Sequence, residues 1–154
     1  MSYERTELDQ KIRTMTIIWL VLLMSQFMFL GVVYTVRPDL FAARPDAPLL
    51  GDQPFIVLVF AALALTNLAI SFILRAKAVE HAITNQDPNY VGTGLIIGCA
   101  FCETISILGV VLALAFAYQY FYVWFVVGIL GILLHYPRRK QFVDAGFNTT
   151  PVRH

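Results

Sequence analysis

Residues 88–137 read PNYVGTGLIIGCAFCETISILGVVLALAFAYQYFYVWFVVGILGILLHYP, and Glu103 is the one Asp, Glu, Lys or Arg residue among them. A helix needs roughly 20 apolar residues to cross a bilayer core about 30 Å thick, so this stretch is long enough for two crossings. Tyrosine and tryptophan collect at the membrane–water interface, and the cluster at residues 118–124 therefore marks the break between two helices.

Two shorter stretches, 14–36 and 53–74, also lack charged residues. The 154-residue chain is 58% apolar and 14% charged, whereas a soluble domain is about 45–50% apolar and about 25% charged. A chain of this length still has to cover much of itself with polar surface in water, so the apolar excess excludes a soluble enzyme. The runs also lack the period-two alternation of a transmembrane barrel.

These patterns predict an all-α, polytopic membrane protein that forms a single four-helix bundle over residues 1–154. The predicted helices span about 14–36, 54–75, 90–117 and 120–136, followed by a cytoplasmic tail at 137–154. A wetter continuation of the second helix through Arg75, Lys77, Glu80 and His81 is left open. The loop after the first helix has prolines at positions 38, 45, 48 and 54, and we expect it to be irregular and exposed.

The distribution of basic residues predicts the orientation. Nine Lys and Arg residues fall at the N-terminus, in the second loop or at the C-terminus, and two, Arg37 and Arg44, fall in the first loop. Cytoplasmic segments are enriched in Lys and Arg, so both termini are expected in the cytoplasm. We expect a multi-pass protein of the bacterial inner membrane. The net charge of +1 does not favour a nucleic-acid partner.

Glu103 is the candidate for chemistry. It lies about 13 residues into the predicted third helix, roughly 18–20 Å deep at 1.5 Å per residue. An ionised carboxylate at that depth is costly, and burial favours the neutral form. A carboxyl group that can exist in both forms is what proton carriage requires. The alternative is a neutral glutamic acid that joins two helices by a hydrogen bond.

Other polar residues lie at comparable depth in the predicted helices. Isolated amides are unsatisfied in lipid, so we expect them to face the bundle interior. They form either one cluster around Glu103 or separate contacts between helices. The candidate ion-binding residues are Glu103, Gln26, Asn67 and Thr104, and Ser25, Thr66 and Ser106 are further members of such a cluster.

Small residues predict a close helix contact along Gly94, Gly98 and Cys102, because they let backbones approach. Cys99 and Cys102 form a CxxC pair inside an apolar helix, without further ligands at matching depth. We interpret both cysteines as small packing residues. The sequence therefore predicts neither a metal site nor a cofactor.

A weak internal repeat appears at an offset of 78 residues, where the sequence LGVV at 30–33 recurs at 108–111. Duplication of a helical hairpin explains the match, and so does shared membrane composition.

Three segments carry a resemblance to a known family. They are the alanine-rich segment 61–65, the polar loop 82–89 and the segment 96–103, which ends at Glu103. With them, residues 54–118 resemble the proteolipid c subunit of rotary ATP synthases and its vacuolar-type relatives. That family has a small-residue helix, a polar cytoplasmic loop and a helix with one midmembrane carboxylate, so the resemblance implies ion binding at Glu103.

The chain departs from the pattern of that family in three respects. Its predicted second helix lacks a dense glycine stripe, and Thr84-Asn85 stands where the family has a loop arginine. Four-helix members also join helices one to two and three to four by cytoplasmic loops, whereas the charge distribution here places those loops outside.

We therefore predict a membrane-embedded, non-enzymatic subunit that handles protons or cations through Glu103, as a homo-oligomer or within a larger membrane complex. Two alternatives remain open at this point. One is an accessory or assembly subunit without ion exchange. The other is a small-solute transporter, although the predicted helices lack the Pro or Gly breaks that midmembrane transporter sites use.

Overall fold

The computed structural model describes residues 2–42 and 46–146, which fold into helices and their connections. The α-helices are α1 (Ser2–Val36), α2 (Pro54–Asn85), α3 (Asn89–Phe116), α4 (Tyr122–Leu134) and α5 (Arg139–Gly146), and a short 3-10 helix spans Pro38–Phe41.

Three of these helices, α1, α2 and α3, are long and apolar enough to cross a membrane. The prediction of an all-helical fold is confirmed for the described residues, and these three helices support an integral membrane protein. The fourth helix is shorter than the expected 120–136. Its 13 residues extend about 20 Å at 1.5 Å per residue, which is less than the bilayer core of about 30 Å.

The long helices extend beyond their uncharged runs. Helix α1 begins at Ser2 rather than near Thr14, and α2 continues to Asn85 rather than to about residue 75. The added turns of α2 are stabilised by burial, because Ala82 is fully buried at the end of the bundle. Helix α2 ends where Gln86 adopts a left-handed backbone conformation with φ of 53°, which is a common way to end a helix.

Helix α3 is the centre of the bundle and packs against α1, α2 and α4. Two hydrogen bonds fix its alignment with α1, one from Ser25 to Glu103 and one from Lys11 to Asn89. Both pairs are 78 residues apart, so α1 and α3 run in the same direction with matched positions side by side. This separation equals the offset of the sequence repeat.

The described residues of the loop after α1 are mostly exposed, as expected, with Leu40 buried. The loop is also bound to the connection between α3 and α4. The Gln119 side-chain amide donates to the carbonyls of Leu40 and Ala42 at 2.8 and 2.9 Å. The Tyr118 hydroxyl donates to the carbonyl of Leu49 at 2.8 Å. This end of the bundle is therefore held together by contacts that are distant in sequence.

The opposite end of the bundle contains α5, which forms within the predicted tail. Its Phe142 and Ala145 are fully buried and cluster with Val91 of α3 and with Leu8 and Ile12 of α1. The first turns of α1 and the last described helix therefore lie at the same end. Residues 147–154 and Arg44, which contribute to the charge and tail predictions, lie outside the described residues.

Candidate functional site

Glu103 meets a serine on the neighbouring helix near the middle of α3. The Ser25 hydroxyl of α1 donates to Glu103 Oε1 and also lies 2.7 Å from the carbonyl of Leu22. The Gln26 side-chain amide donates to Ser25 Oγ at 3.4 Å. Gln26 is fully buried, whereas Ser25 and Glu103 are half-buried. The structure therefore brings Gln26 and Glu103 into one cluster through Ser25.

The contacts around Ser25 bear on the protonation of Glu103. A serine hydroxyl has one proton and donates to one acceptor at a time. When Glu103 is ionised, the Ser25 hydroxyl donates its one proton to the carboxylate. No proton then lies between Ser25 Oγ and the carbonyl of Leu22, so these two atoms form no hydrogen bond. When Glu103 is protonated, the acid donates to Ser25 Oγ and the Ser25 hydroxyl donates to Leu22. The arrangement thus keeps a Ser25–Glu103 hydrogen bond in both states of the carboxyl group.

The surroundings of Glu103 contain a hydroxyl partner rather than a cation. Within the described part of the chain, the two ion pairs join Arg37 to Asp39 and Arg139 to Asp9, both far along the sequence from this cluster. Glu103 is half-buried and the next residue, Thr104, is exposed. The Glu103 side chain therefore lies near the outer surface of the bundle. Among the side chains that the structure describes, the carboxyl group of Glu103 therefore has a hydroxyl partner and forms no ion pair.

Two buried polar atoms on this side of α3 have no protein partner among the described residues. They are Gln26 Oε1 and Ser106 Oγ, and both side chains are fully buried. Ser106 lies one turn after Glu103 and packs against Gly128 of α4, where a Cβ atom would come within 2.2 Å of Ser106 Oγ. Buried polar atoms usually have a partner, and Trp124 Nε1 of α4 is a third unpartnered atom among the described residues.

Asn67 and Thr104, the other predicted ion-binding residues, have different partners. The Asn67 side-chain amide donates to the carbonyl of Leu63 at 2.9 Å, and the exposed Thr104 hydroxyl donates to that of Ala100 at 3.0 Å. Each hydrogen bond stays within its own helix, four residues back along the chain. Polar side chains in a membrane helix satisfy themselves locally in this way, and the sequence gives no sign of which ones do.

The predicted small-residue face of α3 lies in close contacts with two helices. A Cβ atom on Gly94 would lie 2.5 Å from that of Ala78 in α2, and one on Gly98 would lie 2.4 Å from Cδ2 of His135. Cys102 is fully buried, and its Sγ lies 3.6 Å from Ser71 Oγ. These positions have no room for larger side chains.

Sequence reasoning missed a second polar cluster, where α2, α3 and the end of α4 meet. His135 is fully buried, with Nδ1 at 2.7 Å from the carbonyl of Gly131 and Nε2 at 3.4 Å from that of Ser71. Its Nδ1 also lies 4.0 Å from Cys102 Sγ. The sequence feature that could have indicated this cluster is His135, which stands four residues after Gly131 at the end of an apolar run.

Arg75 was expected at the wetter end of α2, and the structure places it inside the bundle with 9% of its surface exposed. Its guanidinium donates to the carbonyls of Leu134 and Tyr136 at 3.3 and 2.9 Å, and to Gln141 Oε1 at 3.3 Å. These carbonyls lie at the C-terminal end of α4, which attracts positive charge. Arg75 therefore caps α4 from the neighbouring helix.

In the described ranges, no three His, Cys, Asp or Glu side chains are close enough to hold a metal ion together. The candidate site is thus the Glu103–Ser25–Gln26 cluster between α1 and α3. No protein-family model, curated protein or solved structure matches this chain.

Proposed function

We propose that this protein is a membrane subunit that handles protons or cations through Glu103. In this proposal Glu103 takes up and releases the proton, or binds the cation, and Ser25 holds the carboxyl group in position. Gln26 supplies a buried dipole beside them. The proposed mode of ion binding is that of a rotary ATPase proteolipid.

The observation that carries the proposal is the Ser25–Glu103 hydrogen bond with Gln26 beside it. Carboxyl groups within membrane spans are rare and mark ion paths or relays. A hydroxyl partner, unlike a lysine or arginine, can donate to the carboxylate and can also accept from the acid. The unpartnered Oε1 of Gln26, next to Ser25, is a further ligand of the kind that a cation or a water molecule needs.

The proposal includes a topology. We place α4 across the membrane as a short fourth span, which a locally thinner bilayer accommodates at modest cost. Both termini then lie in the cytoplasm, consistent with the excess of basic residues at that end. The membrane is proposed to be the bacterial inner membrane, and the working form a homo-oligomer or a larger complex.

The proposal is tested by modification with a hydrophobic carbodiimide, which reacts with protonated carboxyl groups in apolar surroundings. Purified protein is treated over a range of pH values, and modified residues are identified by peptide mass spectrometry. We expect modification at Glu103 that falls as pH rises, because the reactive acid form disappears. Sodium slows the reaction if sodium is the transported ion.

The chain provides its own controls for this experiment. Glu80 is exposed on α2 and should react far less than Glu103. Ser25→Ala removes the hydroxyl partner and should move the pH dependence of modification at Glu103 without abolishing it. Equal modification of Glu80 and Glu103, with the same pH dependence, contradicts the proposal.

The same hydrogen bond supports a second candidate, an accessory subunit in which Glu103 only fixes the alignment of α1 and α3. Two variants separate the candidates. Glu103→Gln retains hydrogen bonding but has no exchangeable acid proton, so ion handling predicts normal assembly and loss of ion-linked activity of the native complex. The accessory role predicts full activity for Glu103→Gln and failed assembly for Glu103→Leu.

A further inference from the structure

A cavity of about 610 Å³ lies between α2, the end of α4 and α5, far along the bundle from Glu103. Two arginines line it, Arg75 of α2 and Arg138 just before α5, together with one acidic residue, Glu80 of α2, and the apolar side chains of Phe72, Val79 and Leu134. The cavity thus combines positive charge with an apolar wall at the basic end of the bundle.

The two arginines outnumber the one acidic side chain of this cavity, Glu80, and no ion pair among the described residues joins Glu80 to either of them. Arg75 is nine-tenths buried and contacts two carbonyls and an amide oxygen, all of them neutral acceptors. Neither ion pair within residues 6–42 and 46–146 includes Arg75 or Arg138. The two guanidinium groups also lie close enough to interact electrostatically. A buried charge is normally paired, and two neighbouring cations favour an anion between them.

The cavity opens along side chains that also face outward. Phe72 is 39% exposed and Leu134 is 62% exposed, so an occupant can extend from the arginines along these apolar surfaces. A free inorganic anion would gain nothing from them. A phospholipid places a phosphate and acyl chains in this order, and basic pockets between membrane helices on the cytoplasmic side bind anionic headgroups.

We propose that this cavity binds the phosphate headgroup of an anionic phospholipid, with Arg75 and Arg138 contacting the phosphate and Phe72 and Leu134 contacting the first acyl carbons. Arg75 is held in place by the end of α4, so the site is formed before the lipid arrives. Arg138 is exposed and adds a second positive charge at the mouth of the cavity.

The test measures lipid binding to the purified full-length protein in neutral detergent by native mass spectrometry. The probe is short-chain phosphatidylglycerol, compared with inorganic phosphate at the same concentrations. We expect saturable binding of one phosphatidylglycerol and no comparable binding of phosphate. Arg138→Gln should weaken lipid binding by about fivefold, the contribution of roughly one basic residue at an anionic surface.

Two further variants keep the test independent of folding. Lys140→Gln removes the same charge from an exposed position that does not line the cavity, and it should leave binding unchanged. Ala76→Trp fills the cavity from its α2 wall without altering any charge, and it should abolish binding while thermal stability is kept. Equal losses for Arg138→Gln and Lys140→Gln, or phosphate binding as tight as lipid binding, would overturn the proposal.

Discussion

Gln26 is the residue at which stability and function are expected to conflict. Its side chain is fully buried, its amide nitrogen has one long hydrogen bond of 3.4 Å, and its Oε1 has no protein partner. An unsatisfied buried polar atom costs about 1–3 kcal/mol. Such a residue persists when the polar atom serves a purpose other than stability.

We therefore predict that Gln26→Leu, which keeps a similar volume, raises the free energy of unfolding in detergent by about 1 kcal/mol. The same variant should alter the pH dependence of carbodiimide modification at Glu103. Thermal unfolding and peptide mass spectrometry measure the two effects.

Gln119→Leu is the matched control for that substitution. The Gln119 amide makes two hydrogen bonds at 2.8 and 2.9 Å, so its loss should lower stability by about 1–2 kcal/mol. A Gln26→Leu variant that is also destabilised would show that Gln26 Oε1 has a bound partner in solution.

At the scale of elements, glycines in α3 and α1 lie in opposite environments. A Cβ atom on Gly98 would lie 2.4 and 2.7 Å from the His135 ring, whereas one on Gly31 would have nothing within 4 Å. The two positions therefore form a natural pair for testing how tightly α3 is packed.

Gly98→Leu should destabilise the protein by about 1–3 kcal/mol, the usual cost of overpacking. Gly31→Leu should cause no loss of stability, because the new side chain points into open space. Thermal unfolding of both variants in the same detergent measures the difference. Equal melting temperatures of the two variants would mean that the His135 side chain moves aside at little cost and that the contact at Gly98 is not tightly packed.

The sequence predicts most of the helices because uncharged runs of the right length have one stable arrangement in a bilayer. It fails where charged turns continue a helix, as in the first turns of α1, because the lack of charge identifies only the membrane-embedded part. Helix α5 was missed because its short, mostly polar sequence beside a basic run is typical of a solvent-exposed tail. Its place in the fold depends on the burial of Phe142 against other helices.

The candidate site was predictable in part. Glu103 stands out as the single acidic residue of a long apolar run, and Gln26 lies at comparable depth. Their connection through Ser25 depends on how α1 and α3 align, which helix periodicity does not determine. The burial of Arg75 and His135 depends on where α4 ends, and local sequence leaves that open as well.

At the scale of the whole molecule, the number of membrane crossings can be measured with single cysteines. The first turns of α1 and helix α5 lie at one end of the bundle, so four crossings place both ends in the same compartment. We propose Glu7→Cys, Asp46→Cys and Lys140→Cys, each at an exposed residue, in a background with Cys99 and Cys102 replaced by alanine.

An impermeant maleimide applied to intact cells should label position 46 and leave positions 7 and 140 unlabelled. Permeabilised cells, in which all three positions should react, are the control. Labelling at 140 but not at 7 would show that α4 does not cross the membrane, and labelling at 7 and 140 alone would reverse the orientation.

The contacts between the first loop and the α3–α4 connection have a consequence for the order in which the chain matures. The carbonyls of Leu40, Ala42, Ala47 and Leu49 receive their side-chain hydrogen bonds from residues 118–120. These donors are synthesised roughly 70–80 residues later, after α3 has been made. The loop carbonyls therefore have no side-chain donor when they are made, and this end of the molecule reaches its final form only when α3 and the α3–α4 connection have folded beside the loop.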